Sequence, residues 1–122
     1  MEQVPVAIWG DGTARREFIY AGDLADSLVY AIQHFNTMPS LMNVGLGFDY
    51  SINEYYEVIA DVIGYISGFT HDLSKPVGMK QKLVNIERQK AWGWHGKTAL
   101  RDGVIATYQF YLDQANHSHG IG

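Results

Sequence analysis

The chain has 122 residues, 47% apolar and 18% charged, which suits one globular domain with one core rather than two domains or a disordered segment. Its net charge of −4 argues against a general nucleic-acid binder, and the absence of cysteine excludes disulfides and thiolate metal sites. No apolar run approaches the ~20 residues of a membrane span and no basic-then-apolar signal peptide opens the chain, so a cytoplasmic protein without membrane contact is expected.

Residues 4–9 predict a strand ending at a Gly10–Gly12 turn, and residues 17–20 a second short strand. Asp23 fits an N-cap. Leu24, Leu28, Ala31, Ile32 and Phe35 then recur at helical spacing, predicting a helix of about 13 residues with one buried stripe. Residues 36–40, with Pro39, read as a connection, and residues 41–44 as a short buried strand ended by Gly45 and Gly47. Ser51-Ile52-Asn53-Glu54 has the capping-box pattern and opens a second helix. Its stripe is Tyr55, Val58, Ile59, Val62 and Ile63, and Gly64 is its stop. Residues 68–73 predict a strand leading into a breaker-rich turn from Ser74 to Gly78, and residues 83–86 predict another. A short helical turn through Ala91 is closed by Gly93. Thr98 caps a last helix in which Leu100, Val104, Thr107, Tyr108 and Tyr111 share a face. Alternating strands and helices make an α/β or α+β domain over residues 1–116, with a loose tail at 117–122.

The stretch from Val6 to Tyr20 carries the chemistry. An apolar run with a large aromatic, Trp9, enters a turn with two glycines and leaves it with two arginines. Such a layout suits an anionic, ring-bearing ligand: glycine lets backbone come close, an indole offers a flat face, and Arg16 offers a planar fork for phosphate or carboxylate. The alternative is a hairpin with a basic turn and a buried Trp. Gly10-Asp11-Gly12 invites a dinucleotide-loop reading, but Arg15 stands where a third glycine is needed and a strand, not a helix, is expected next. Gly45-x-Gly47 fails likewise, with Tyr50 in the third place. The five histidines make no metal set; His71-Asp72 could pair, but no nucleophilic serine joins them at a recognisable spacing. Trp92-Gly93-Trp94 reads as a core anchor and turn.

Trp9-Gly10-x-Gly12-Thr13, Arg16-Glu17-Phe18-Ile19 and Asp23-Leu24-Ala25 together resemble the second half of the GDP-L-fucose synthases. These are extended short-chain dehydrogenases/reductases of the NAD(P)-dependent epimerase/dehydratase family. Met42-Asn43-Val44-Gly45-x-Gly47, Ser74-Lys75-Pro76, Lys82-Leu83 and Trp92-Gly93-Trp94 continue the resemblance in order, so that it covers nearly everything from residue 4 to residue 113. For the complete enzymes it implies NADPH-dependent conversion of GDP-4-keto-6-deoxy-D-mannose to GDP-L-fucose. Their acid/base Tyr with Lys four residues on, and their glycine-rich cofactor loop, lie in the first half. None of the eight tyrosines here is followed by Lys at that spacing.

The resemblance therefore implies a carboxy-terminal substrate-binding portion without the Rossmann half: no catalytic residue and no cofactor held by this chain, NADP belonging to the full-length enzymes. It places Trp9 and Arg16 on positions that contact the nucleotide-sugar, Lys75 on a basic position facing the diphosphate, and Lys82 on a further basic position. From the residues alone, Lys75, Lys80, Lys82 and Arg16 could cluster into one anion site. Val77 and Asn85 stand where the family often has Asp, which weakens the expected guanosine-ribose contact. The expected partners are a GDP-sugar, a second copy of the chain, and a separate Rossmann half. The contrasting expectation is a self-associating structural module that has lost nucleotide-sugar binding.

Overall fold

The computed structural model describes residues 4–119. In chain order the elements are β1 (Val6–Trp9), β2 (Arg15–Arg16), α1 (Ala21–Gln33), a 3-10 turn (Phe35–Thr37), β3 (Tyr50–Ser51), α2 (Ile52–Ile63), β4 (Phe69–Asp72), β5 (Gln81–Lys82), α3 (Glu87–Trp92) and α4 (Leu100–His119). Two small sheets result. β1 runs parallel to β4, with Val6 opposite Phe69 and Trp9 opposite Asp72. β2 is the centre of the other, antiparallel to β3 and parallel to β5, so that Arg15 faces Gln81 and Arg16 faces Lys82.

β1 and β2 thus belong to different sheets, and the turn between them is not a hairpin. The second strand falls at Arg15–Arg16 rather than at residues 17–20, because the backbone partners of Ser51 and Gln81 lie there. Similarly, the strand expected at 83–86 forms at Gln81–Lys82, where β2 can pair with it. Residues 41–44 make no strand. Among the described residues they have no ladder partner; the Leu41 carbonyl accepts from Arg88 at 2.8 Å, the Asn43 side chain donates to the Asn85 carbonyl at 3.2 Å, and Gln89 fastens the flanking Gly45.

The helix signals fare better. Ser51 Oγ accepts from the Glu54 amide at 3.1 Å while Glu54 Oε2 accepts from the Ser51 amide at 2.6 Å, which is the reciprocal capping box. Gly64 and Gly93 close α2 and α3 in the left-handed conformation. α4 extends through His119, so residues 117–119 of the expected tail are helical, and 120–122 lie outside the described residues. α2 and α4 pack side by side. An apolar cleft of about 360 Å³ between them is lined by residues including Tyr55, Ile59, Val104 and Tyr108.

α1 has the expected length but the opposite orientation. Tyr20, not Asp23, holds the N-cap position, without a side-chain bond. Asp23 is buried in the first turn, where its carboxylate accepts from the Thr98 amide at 3.0 Å and the Thr98 hydroxyl at 2.8 Å. Thr98 therefore binds α1 through the hydroxyl expected to cap α4. Ser27 is buried as well, Tyr30 donates to the Trp92 carbonyl at 3.1 Å, and Asp26 accepts from the buried Trp94 indole at 2.9 Å. The polar side of the helix faces inward onto the α3–α4 connection because Asp23, Asp26 and Tyr30 find partners there, while Ser27 donates to the Leu24 carbonyl of its own helix. The expected buried stripe is thereby turned out: Leu24, Leu28, Ile32 and Phe35 are all exposed. Among the described residues no helix is long and apolar enough to cross a membrane.

Candidate functional site

The turn after β1 is built to be tight. The Gly10 amide donates to the Asp72 carbonyl at 2.9 Å, extending the β1–β4 pairing by one bond. The Asp11 carboxylate accepts from the Thr13 amide and hydroxyl at 3.0 and 2.7 Å, and these bonds hold its pKa below the usual carboxylate range. Gly12 has φ +74°, and a Cβ there would fall 1.8 Å from Asn53 Oδ1. Asn53, in the first turn of α2, donates to the Asp11 carbonyl at 3.1 Å and so clamps the turn onto the helix start. This turn leads into β2, not into a helix. It therefore offers no helix N-terminus to a pyrophosphate, and its residues do not fit a dinucleotide.

The clamp brings the two ends of the turn around one hollow of about 400 Å³, whose lining includes Trp9, Arg16, Tyr56 and Val77. Trp9, read in one alternative as buried, is 58% exposed. Its ring stacks against no other aromatic among the described residues, while Lys75 Nζ lies 5.5 Å from its centroid, within cation–π range. Arg16 Nη1 donates to the Arg15 carbonyl at 2.7 Å and Nη2 to the Val77 carbonyl at 3.1 Å, so neutral backbone oxygens hold the guanidinium.

Strand alternation sorts the rest. Successive residues of β2 face opposite ways, and paired residues on β5 share those sides. On one side, Arg15 Nε and Gln81 Nε2 both donate to Asp49, at 2.8 and 2.7 Å. The Gln81 bond, then the Arg15 bond, pulls the Asp49 carboxyl below its ordinary pKa, and the same pairing raises that of Arg15. By alternation and register, Arg16 and Lys82 belong to the other side. Lys82 is exposed and adjoins Arg16 across the strands without lining the hollow. Tyr55 supports β2 from below, donating to the Arg16 carbonyl at 2.8 Å and accepting from the Phe18 amide at 3.2 Å; burial raises its pKa.

The nine Lys and Arg side chains divide accordingly. Among the described residues, ion pairs involve Arg15, Lys90, Lys97 and Arg101; Arg88 donates to the Leu41 carbonyl instead, and no ion pair involves Arg16, Lys75, Lys80 or Lys82. Three of these unpaired cations, Arg16, Lys75 and Lys82, lie at or beside the hollow. Val77, where the family often has Asp, packs against Gly10 and gives Arg16 its carbonyl, so no carboxylate enters there. Asn85 lies elsewhere and accepts from the Glu87 amide at the start of α3. His71 and Asp72 do not pair: His71 Nε2 meets Asn53 Oδ1 at 2.8 Å, and Asp72 accepts from Ser74. The arrangement can hold an anion beside a flat ring. Sequence reasoning missed Tyr56, which lines the hollow, and Tyr55 and Asp49, which brace β2 through Arg16 and Arg15; none carries a local motif, and each takes its place only through the fold.

In sequence and fold the chain corresponds to part of an extended short-chain dehydrogenase/reductase, and the model of the NAD dependent epimerase/dehydratase family matches residues 1–45. The individual relatives narrow this further. The chain is 51% identical to a GDP-L-colitose synthase of Yersinia pseudotuberculosis over 92% of its own length and 36% of that protein's. It is 48% identical to a GDP-L-fucose synthase of Azorhizobium caulinodans over 88% of its length and 34% of that protein's. In structure it matches a GDP-mannoheptose C4 reductase of Campylobacter jejuni, solved with NADP bound, at a TM-score of 0.77 and 34% identity, over 88% of this chain and 35% of that one. The chain thus spans about a third of the length of the relatives it matches.

Proposed function

We propose that this chain is the nucleotide-sugar-gripping portion of an enzyme of the GDP-L-fucose and GDP-L-colitose synthase kind, binding a GDP-sugar through Trp9, Arg16, Lys75 and Lys82. The observation that carries the reading is the gathering of an exposed indole with three cations that have no carboxylate partner among the described residues. In a protein of net charge −4, cations left together in this way favour an incoming anion. The indole would stack on a planar base, the Arg16 fork would pair phosphate oxygens, and the two lysines would neutralise the remaining charge.

Hydride transfer, epimerisation and NADP belong, in this reading, to a Rossmann half outside these 122 residues, and the chain alone is inactive. Calorimetric titration with GDP-L-fucose tests the grip. Saturable heat is expected, with affinity lowered about tenfold or more by Arg16→Ala, a loss of charge-assisted bonds. A folded protein giving no heat at millimolar ligand would refute it.

A second reading, a self-associating module, is favoured by surface area. The chain exposes 8933 Å², whereas a folded monomer of its 13.7 kDa should expose roughly 6,600 Å². An excess of this size marks a body whose faces are meant to be covered. Light scattering at micromolar concentration tests it, and a strictly monomeric mass would reject it.

A further inference from the structure

We propose that Asn53, held by His71, is a positioning residue for the nucleotide-sugar grip: it fixes the span between the Trp9 indole and the Arg16 guanidinium. This role presupposes the GDP-sugar reading. The two gripping side chains belong to separate sheets, Trp9 to β1 beside β4 and Arg16 to β2 between β3 and β5. Their relative placement therefore depends on how the turn that joins the sheets is held.

Asn53 holds it with three atoms. Its backbone amide donates to the Gly12 carbonyl at 2.9 Å, and its side-chain Nδ2 donates to the Asp11 carbonyl at 3.1 Å. The third atom, Oδ1, reaches the other sheet: it lies 2.8 Å from Nε2 of His71, which stands on β4 opposite Ile8. Because Nδ2 is committed to a carbonyl, Oδ1 meets His71 as an acceptor, so the imidazole carries a proton on Nε2. A flipped amide would set its oxygen against the Asp11 carbonyl oxygen, so the network admits one orientation. Gly12 completes the fit, since a Cβ there would overlap Oδ1. Neither Asn53 nor His71 lines the hollow, so both act through the turn rather than by touching ligand. A ligand that carries a ring and a diphosphate on one scaffold must meet the indole and the guanidinium at one separation. A turn already held at that separation spares the cost of ordering it on binding. A ligand that meets only one of the two side chains gains nothing from the span.

Calorimetry with GDP-L-fucose, beside NMR titrations with guanosine and with inorganic pyrophosphate, separates these cases. Asn53→Ala removes both side-chain bonds. It should lower affinity for GDP-L-fucose about tenfold and leave guanosine and pyrophosphate within about twofold of the parent chain. His71→Phe should lower GDP-L-fucose affinity about threefold, and His71→Gln, which restores an N–H donor near the place of Nε2, should recover it. His71 is exposed, so this second pair of variants keeps the core intact and decides the matter where circular dichroism finds Asn53→Ala unfolded. GDP-L-fucose affinity unchanged by Asn53→Ala, or by His71→Phe where that variant decides, overturns the positioning role and leaves the grip standing. Equal losses for all three ligands overturn it as well, because they mark a hollow that has loosened as a whole. A folded parent chain that binds no GDP-L-fucose at millimolar concentration overturns the grip, and this role with it.

Discussion

Replacing Gln89 by Leu removes a side chain that does two things at once. Gln89 sits in α3 at 1% exposure, accepting from the Gly45 amide at 2.9 Å and donating to the Gly45 carbonyl at 3.0 Å. Leu has nearly the same volume, so packing changes little, but both polar groups of Gly45 lose their partner in a buried place. Each orphaned group costs about 1–3 kcal/mol, which puts the loss at about 4 kcal/mol. Against a total stability of ~5–15 kcal/mol, the variant should fold but only marginally. With a urea slope of about 1–3 kcal/mol per molar, the unfolding midpoint should drop by about 2 M. Gln89→Ala should drop it further, because a cavity adds about 1 kcal/mol. Urea unfolding followed by circular dichroism gives both midpoints. If the Leu variant unfolds at the wild-type midpoint, Gly45 reaches water or another partner and the account of a buried clamp is wrong.

Other outcomes follow from the same geometry. Arg16→Lys keeps the charge and loses the planar fork, so affinity for GDP-L-fucose should fall by about tenfold in calorimetry; an unchanged affinity would detach Arg16 from the ligand. Gly12→Ala puts a Cβ against Asn53 at φ +74°, and should cost about 2 kcal/mol or more, read as a fall in Tm of several degrees. The Asp49 carboxyl titrates below its unfolded value because Gln81 and Arg15 bond its ionised form. Its contribution to stability is therefore present above the ordinary carboxylate range and is lost as pH falls through the folded value. Stability measured from pH 7 down to pH 3 should fall less steeply for Asp49→Asn than for the parent chain, and equal slopes would contradict the assignment.

What could be read along the chain was short-range. The capping box at Ser51–Glu54 and the glycine stops at 64 and 93 rest on contacts within one helical turn, and each stands where the residues placed it. Trp9 and Arg16 were legible together because one seven-residue step through a tight turn joins them, and they share a hollow. By contrast, Tyr55 reaches the Arg16 carbonyl across 39 residues and Asp49 joins Arg15 across 34. Neither bears a motif, because the partner that gives it a role arrives only when separate strands pair. The short strands β2 and β5 were misplaced for the same reason: with two residues each, register against a neighbour decides them, not propensity.

α1 marks the boundary most clearly. Its spacing of Leu24, Leu28, Ile32 and Phe35 was enough to determine that a helix of this length forms with one apolar side. Which side faces in was decided by tertiary structure, where Thr98, Trp92 and Trp94 supply partners for Asp23, Tyr30 and Asp26. Periodicity records that an apolar face calls for cover. It does not record where the cover comes from, and buried polar groups that find all their hydrogen bonds can hold a helix by its other side.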